Sequence, residues 1–470
     1  MENLKKRVLV PIVGQGSITH IIRTGMLDKM SGFCKPVVAL LWKEEKLIEE
    51  LESKGYEITF FPPYKISPEY AALRYKINIW YLKHKLKTPS VQIQQKYLAQ
   101  FRKNKQTVKL KKQLKDSYYT FRFKWQKSYI GELLQQEVVL MQKEQVFAAY
   151  KDWLKLINVY GLFTVTPFLY EVDLIARILR EQKIPAIASI HSFDNVTKRD
   201  WQSTVFDHYI VWNKYNKAEL QRIHAVLQKD ELITIAGAPQ FDFHYNSDCA
   251  WSREEWMKKL GIPAGKKVIL CSGGSVALLP NEPQYLKALK EAIERVEISH
   301  DYVVLFRCHP LDKVERWKQY VGETPHIIYD TAPSGMVKLD HVNVAREDIV
   351  KLMSTLKHTE AHINVVSTMT VDGSAFHKPQ IGPYYDDVQP ETQELFRQMY
   401  FQEHYRPVMN SQVVNLAHSK TEFIDLVNKI LQRPSDFTKN CDKCIEEIIT
   451  YSDGRSTERA VTAIENFFQR

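Results

Sequence analysis

Short apolar runs alternate with helix-period segments along most of the chain, and this alternation limits the fold more than any other feature. Arg7–Val13, Pro36–Trp42 and Tyr56–Phe61 read as strands. Between them lie the turn Gly14-Gln15-Gly16-Ser17, a helix starting near Thr19 and a helix over 44–54. Strand-helix-strand-helix-strand is the opening of a parallel sheet. After a long helical stretch, strand patterns resume at Leu162–Pro167, Pro185–Ile190, Tyr209–Trp212 and Leu232–Ala236. Gly237-Ala238-Pro239 closes this series, and Gly261-Ile262-Pro263-Ala264-Gly265 forms a linker-like turn. A second series follows at Val268–Cys271, Tyr302–Cys308, His326–Tyr329, Ile363–Val366 and Gln380–Gly382, and roughly the last 65 residues read as helical. A chain of 470 residues is too long for one core. The expected fold is α/β: two doubly wound domains with a cleft between them, 1–250 and 251–450, and a C-terminal helix over 451–470.

A helical insertion over about 65–150 interrupts the first domain, and it is basic. The net charge of the chain is +10, yet residues 65–127 hold 17 Lys and Arg against Glu69 and Asp116, a net +15. Tyr70, Tyr75, Trp80, Tyr81, Tyr97, Phe101, Tyr118, Tyr119, Phe121, Phe123 and Trp125 are interleaved with these cations. Such a segment fits an anionic membrane surface as partner, or else a solvated helical face with its aromatics turned inward. It carries no nucleic-acid-binding signature. The N-terminus has no signal-peptide pattern, and no stretch reaches the ~18 apolar residues of a membrane span. The expected location is the cytoplasm, including the inner membrane face. The six cysteines are scattered, which fits reduced thiols. The Cys441/Cys444 pair lacks the second pair a zinc site needs, so neither a metal nor a cofactor is expected.

Ligands of open parallel sheets bind beyond the carboxyl ends of the strands. In the second domain, Ser272-Gly273-Gly274-Ser275 follows the first strand, small residues whose backbone N–H groups a phosphate can approach. The second strand runs into YVVLFRCHPLD, residues 302–312, and ends in Arg307 and His309. A buried strand gains nothing from two potential cations at its end; a bound anion would explain them. Ser367-Thr368 opens a helix that runs through Asp372. Each feature has an ordinary structural reading: a turn, a surface cation, an N-cap. Their order and convergence on one rim point to a nucleotide-phosphate site.

At these residues the chain resembles the GT-B glycosyltransferases of bacterial surface-polysaccharide synthesis. Gly16-Ser17-Ile18 with Ile22-Arg23-Thr24-Gly25 resembles the family's first loop and helix. Ser192-Phe193-Asp194-Asn195-Val196-Thr197-Lys198 is similar to its "WDNLT" signature, with Phe for Trp. Asp207 through Asn213, Gly237 through Asp242, Ser367 through Gly373 with Lys378-Pro379, and Asp453 through Arg459 resemble further family segments. The His-Pro and Ser-Thr pairs are also similar to motifs of bacterial sialyltransferases and CDP-glycerol transferases. The resemblance implies that His309 and Ser367 or Thr368 contact donor phosphates. It implies that Asp372 takes ribose hydroxyls, where many GT-B enzymes have Glu. It also implies that the leaving group is stabilised by side chains and helix N-termini rather than by a metal.

Group transfer needs a stabilised leaving phosphate and a base for the acceptor hydroxyl. The base is expected from the first domain, with Asp194, Glu171 and His20 as candidates. Their ordinary readings are a local turn cap, a first-turn acid on a helix dipole and a surface histidine. Asp386-Asp387 reads as a surface or sugar-contacting acid pair. The leading expectation is a metal-independent glycosyltransferase, hexosyl- or related, with a nucleotide-sugar donor and a surface-glycan or lipid-linked saccharide acceptor. The alternatives are a CDP-polyol phosphotransferase, a non-hydrolysing sugar-nucleotide epimerase and an inactive nucleotide-binding protein.

Overall fold

The computed structural model describes residues 5–63, 65–93, 96, 106–274, 276, 278–309, 312–330 and 343–469. The chain divides into two compact units. The first gathers Met1–Gln92, Arg102–Gln240 and Ser456–Arg470, and the second is built on Phe241–Arg455.

The first unit holds β1 (Arg7–Ile12), β2 (Lys35–Leu40), β3 (Glu57–Phe60), β4 (Gly161–Thr164), β5 (Ala186–Ser189), β6 (His208–Val211) and β7 (Ile233–Ile235). Their order is β3-β2-β1-β4-β5-β6-β7, and all pairings are parallel. The central strands are buried along nearly their whole length. Helices cover both faces of such a sheet, which is why its strands read as unbroken apolar runs.

The insertion supplies the helices Pro68–Trp80, Gln106–Trp125, Tyr129–Lys143 and Gln145–Ile157. Ser67 caps the first of them, its Oγ accepting from Tyr70 N–H at 3.1 Å. Tyr70, Leu73, Ile77, Leu133, Met141 and Tyr150 bury the inner faces. Arg74 pairs with Glu137 inside the bundle (3.2 Å) and ties it to the helix Tyr170–Glu181 through Asp173 (3.6 Å). The C-terminal helix Ser456–Gln469 returns to this same unit. There Phe468 occupies the space a side chain at 161 would need: a Cβ on Gly161 would lie 2.3 Å from Phe468 Cε1.

The second unit holds β8 (Lys267–Ser272), β9 (Tyr302–Arg307), β10 (Ile327–Asp330), β11 (Ala361–Ile363), β12 (Gln380–Pro383) and β13 (Val414–Ala417). Their order is β10-β9-β8-β11-β12-β13, again all parallel. Two elements differ from the sequence reading. The fourth strand is Ala361–Ile363 rather than Ile363–Val366, because the chain leaves the sheet at Asn364 and Val366 takes a left-handed φ of 46°. The C-terminal stretch expected to be all helical contains β13. That strand is a short, half-exposed edge whose apolar residues are interrupted by Asn415, which donates to Gln380 C=O at 3.0 Å.

All six cysteines are buried and unpaired. Burial pushes Cys441 up to about 12 and Cys444 to about 11, which suits inert packed thiols.

Candidate functional site

In each unit the chain leaves the first strand in one direction and later returns to its other side. The switch points therefore lie between β8 and β11 in the second unit and between β1 and β4 in the first. Ligand sites of doubly wound sheets form at such points.

At the second unit's switch point, β8 ends in Ser272, whose register partner is Arg307. The two glycines that follow are set by packing. A Cβ on Gly273 would lie 2.9 Å from Trp317 Cζ2, and one on Gly274 would lie 2.6 Å from Leu279 Cδ1. Their N–H groups, expected to be open to a phosphate, are already used. Gly273 N–H donates to Arg307 C=O at 3.0 Å, and Gly274 N–H to Glu282 Oε2 at 2.7 Å. Glu282 is buried, and burial raises its carboxyl to about 8, partly offset by the Gly274 N–H and by Arg316. The two glycine N–H groups are thus taken up within the protein, one by a backbone carbonyl and one by a side-chain carboxyl. Ser275 lies outside the described residues.

Arg307 does not stand alone either. Its Nη1 lies 3.0 Å from Asp330 Oδ2, directly across the β9–β10 register. Asp330 is buried and also pairs with Lys351. Two cations around one carboxylate leave the group with a net positive charge, so it still favours an anion nearby. His309 follows two residues later. Its C=O accepts from Asp312 N–H at 2.8 Å, and burial lowers its ring pKa, with Asp312 working the other way.

Beyond β11, left-handed Val366 turns the chain into Ser367. A β-branched residue is costly in that conformation, and such strain gathers at functional loops. Ser367 Oγ accepts from Met369 N–H at 3.2 Å, and Thr368 is exposed at the start of the helix Met369–Ala375. Gly373 lets that helix lie on the sheet: a Cβ there would be 2.2 Å from His362 Nδ1 and 2.3 Å from Gln380 Nε2. Asp372 accepts a 2.8 Å hydrogen bond from His244 Nε2, and the His244 ring stacks on Phe241 with centroids 4.3 Å apart. Asp386, expected at the surface or against a sugar, is buried. It holds the loop after β12 by accepting from Asn281 Nδ2 (2.8 Å), Gln284 Nε2 (3.1 Å) and the N–H groups of Val388 and Gln389. Among the described residues, no three His, Cys, Asp or Glu side chains group to hold a metal ion.

In the first unit, the loop after β1 is pinned by Ser17 Oγ, which accepts from Val13 N–H at 2.9 Å and donates to Gly14 C=O at 2.7 Å. His20 lies in the π-helical turn Ile18–Arg23 and is fully buried rather than on the surface. Its Nε2 lies 3.4 Å from Ser189 Oγ, and burial pushes its pKa down to about 3. Asp194 is engaged locally: it accepts from Ser192 Oγ at 2.5 Å and pairs with Lys198 at 3.2 Å. Glu171 sits in the first turn of the helix Tyr170–Glu181. Among the described residues it shares no hydrogen bond or ion pair with His20 or Asp194.

The residue these elements surround is His191, which the sequence reading passed over. It stands two positions past β5, as His309 stands two past β9. Its Nδ1 donates to Val165 C=O at 3.2 Å, which fixes the tautomer and leaves Nε2 as an acceptor. Gln240 Nε2 donates to its C=O at 2.9 Å. Gly16 lets the loop close on the ring, since a Cβ there would be 3.0 Å from His191 Cδ2 and 3.1 Å from Nε2. Burial, then the charge of Arg199, pushes the ring down to about 4 against the opposing effect of Asp194, so it is neutral at pH 7. The available signal was its position: one residue before the Ser192–Lys198 signature and just past a strand.

The profile of the family described as CDP-Glycerol:Poly(glycerophosphate) glycerophosphotransferase matches residues 183–466, more than half of the chain. No curated protein matches the chain. Among solved structures, MnaA of S. aureus with UDP is 11% identical, with a TM-score of 0.56 over 99% of this chain and 97% of that one. A glycosyltransferase from Rickettsia africae is 10% identical, with a TM-score of 0.52 over 99% of both. The UDP-GlcNAc 2-epimerase of Neisseria meningitidis, bound to UDP-GlcNAc, is 8% identical, with a TM-score of 0.54 over 99% of this chain and 100% of that one. At these identities the likeness is one of fold, and the fold is GT-B.

Proposed function

The chain belongs to the CDP-glycerol:poly(glycerophosphate) glycerophosphotransferase family, and from that premise we propose that it moves a polyol phosphate from a CDP-linked donor to a hydroxyl of a glycan or lipid-linked acceptor. The observation that carries the reading is His191: neutral, held in one tautomer by Val165 C=O, with Nε2 free of that bond and set against a glycine. That is the condition of a general base. In the proposed reaction His191 Nε2 takes the proton of the acceptor hydroxyl. The acceptor oxygen bonds to the donor's β-phosphorus, the bond from that phosphorus to the bridging oxygen breaks, and CMP leaves with the electron pair. His309 and the positive Arg307/Asp330/Lys351 group offset charge on the donor's phosphates, with Ser367 and Thr368 beside them as hydrogen-bonding groups. Asp372, steadied by His244, remains the candidate for the ribose hydroxyls.

A pKa near 4 makes a weak base in the free protein. Any anion bound beside the ring would raise it toward the working pH.

Hexosyl transfer is the second reading. It would use the same residues on a different bond, with carbon–oxygen cleavage and loss of a nucleoside diphosphate, and the family segments quoted from both units favour it. An epimerase has no use for the basic insertion. A thermal-shift panel of CMP, CDP, UDP and GDP tests the donor class. At a hundredfold excess over Kd a true ligand stabilises by about 2.7 kcal/mol. The reading expects the shift with cytidine nucleotides, lost in His309→Ala. A shift with UDP or GDP alone would overturn it.

A further inference from the structure

The basic insertion carries a surface whose occupant can be argued from its chemistry. On the helix Gln106–Trp125, Leu114, Tyr118, Phe121 and Trp125 are 64%, 57%, 64% and 71% exposed. Their spacing of i, i+4, i+7 and i+11 puts all four within about 60° of arc at 3.6 residues per turn. They form one continuous ridge, and Phe121 and Trp125 touch, with centroids 5.7 Å apart. The opposite side of the helix is the one that packs inward. There Phe123 is buried against Tyr129 (5.5 Å), and Asp116 accepts from Tyr75 OH. The ridge is therefore not a core face turned the wrong way. Four large apolar side chains in a row on a surface helix mark a contact surface.

Cations border the ridge. Lys115 and Arg122 lie on one flank, braced over the rings of Tyr75 (4.8 Å) and Tyr129 (3.5 Å). Exposed Lys124 lies on the other flank, and exposed Lys127 just past the helix end. An apolar ridge between basic flanks, in a segment of net +15, matches the interface of an anionic leaflet: rings enter the headgroup layer while the cations meet lipid phosphates. Among the described residues no helix is long and apolar enough to cross a membrane, so the mode of contact is to lie on it.

We propose that Leu114, Tyr118, Phe121 and Trp125 form a ridge that seats into an anionic lipid surface, with Lys115, Arg122, Lys124 and Lys127 as its electrostatic flank. This rests on the exposure and arrangement of the helix and is independent of the transfer reading. All eight side chains lie outside the candidate catalytic and donor groups.

The test is vesicle co-sedimentation of the full chain, with vesicles of phosphatidylcholine alone or mixed with phosphatidylglycerol. Three proteins are compared: wild type, Phe121→Ser/Trp125→Ser, and Lys115→Gln/Lys124→Gln/Lys127→Gln. Thermal melts confirm that the variants fold, as exposed positions should allow. Wild type is expected to bind the mixed vesicles, less so in high salt, and to bind neutral vesicles at least tenfold more weakly. The ring variant should lose about tenfold or more in partitioning, and each lysine removed about fivefold. Brominated lipid should quench tryptophan fluorescence, and Trp125→Phe should remove most of that quenching. Equal binding to both vesicle types, no binding, or loss in the lysine variant with none in the ring variant would overturn the proposal. So would a wild-type dimer that the ring variant dissociates without vesicles, which would make the ridge a protein contact.

Discussion

Gly373→Ala tests whether the helix behind Ser367 and Thr368 is held where the donor reading needs it. The new Cβ would lie 2.2 Å from His362 Nδ1 and 2.3 Å from Gln380 Nε2, where ordinary contact begins at 3.4 Å. Neither neighbour yields easily. His362 is buried with Nε2 2.8 Å from Thr359 Oγ1, and Gln380 Nε2 donates to Lys378 C=O at 2.8 Å. The helix Met369–Ala375 must therefore rise by about 1 Å, and Ser367 and Thr368 move with it. Overpacking of this kind costs about 1–3 kcal/mol. For a unit of this size each kcal/mol lowers Tm by about 2–4 °C, so the expected fall is about 2–12 °C. Loss of one charge-assisted hydrogen bond to the donor would weaken CDP binding about tenfold or more. Gly131→Ala is the matched control: it lies within the helix Tyr129–Lys143 with nothing within 4 Å of its Cβ, so Tm should hold or rise slightly. Calorimetry and thermal melts give both readings. If Gly373→Ala keeps the wild-type Tm and CDP affinity, the packing argument and the helix's role fail together.

Three further outcomes are expected. His191→Ala should lower turnover by about 10²–10⁴ with CDP affinity retained, and the wild-type acid limb of kcat/KM should fall near pH 4 rather than 6.5; a limb at 6.5 or an active variant would remove His191 as the base. His20 and His362 are buried with pKa values pushed down to about 3, by burial first in each case. Unfolded, each binds its proton near pH 6.5, so between about 6.5 and 3 the unfolded state holds more protons and stability falls as pH falls. The limiting slope is about 2.7 kcal/mol per pH unit for the two, and urea melts that are flat from pH 7 to 5 would contradict it. His244→Phe should keep the stack on Phe241 but strip Asp372 of its donor, costing about 1–3 kcal/mol; an unchanged urea midpoint would count against the pair.

The two sheets were legible because both faces of each are covered, which forces unbroken apolar strands such as Val8–Ile12 and Val303–Phe306. Edge strand β13 was not, since it is only four residues long, partly open and interrupted by Asn415. The rim of the second unit was legible as a place but not in its bonding. Nothing in the sequence tells that Glu282, eight residues after Gly274, folds back through the intervening loop onto that glycine's N–H, or that Asp330, on the neighbouring strand, claims Arg307. His191 was within reach. It repeats the placement of His309 past a strand end, and it precedes Asp194, which pairs with Lys198.

Which bond breaks is read from the nucleotide that is released. The purified chain is incubated with a CDP-linked polyol donor and a polyol-phosphate primer on a lipid carrier, and the products are resolved by anion-exchange chromatography and phosphorus NMR. Attack at the β-phosphorus releases CMP, one per phosphodiester formed, and this release is expected from wild type and lost in His191→Ala. Release of a nucleoside diphosphate from a sugar nucleotide, with no CMP from the CDP-linked donor, would contradict it.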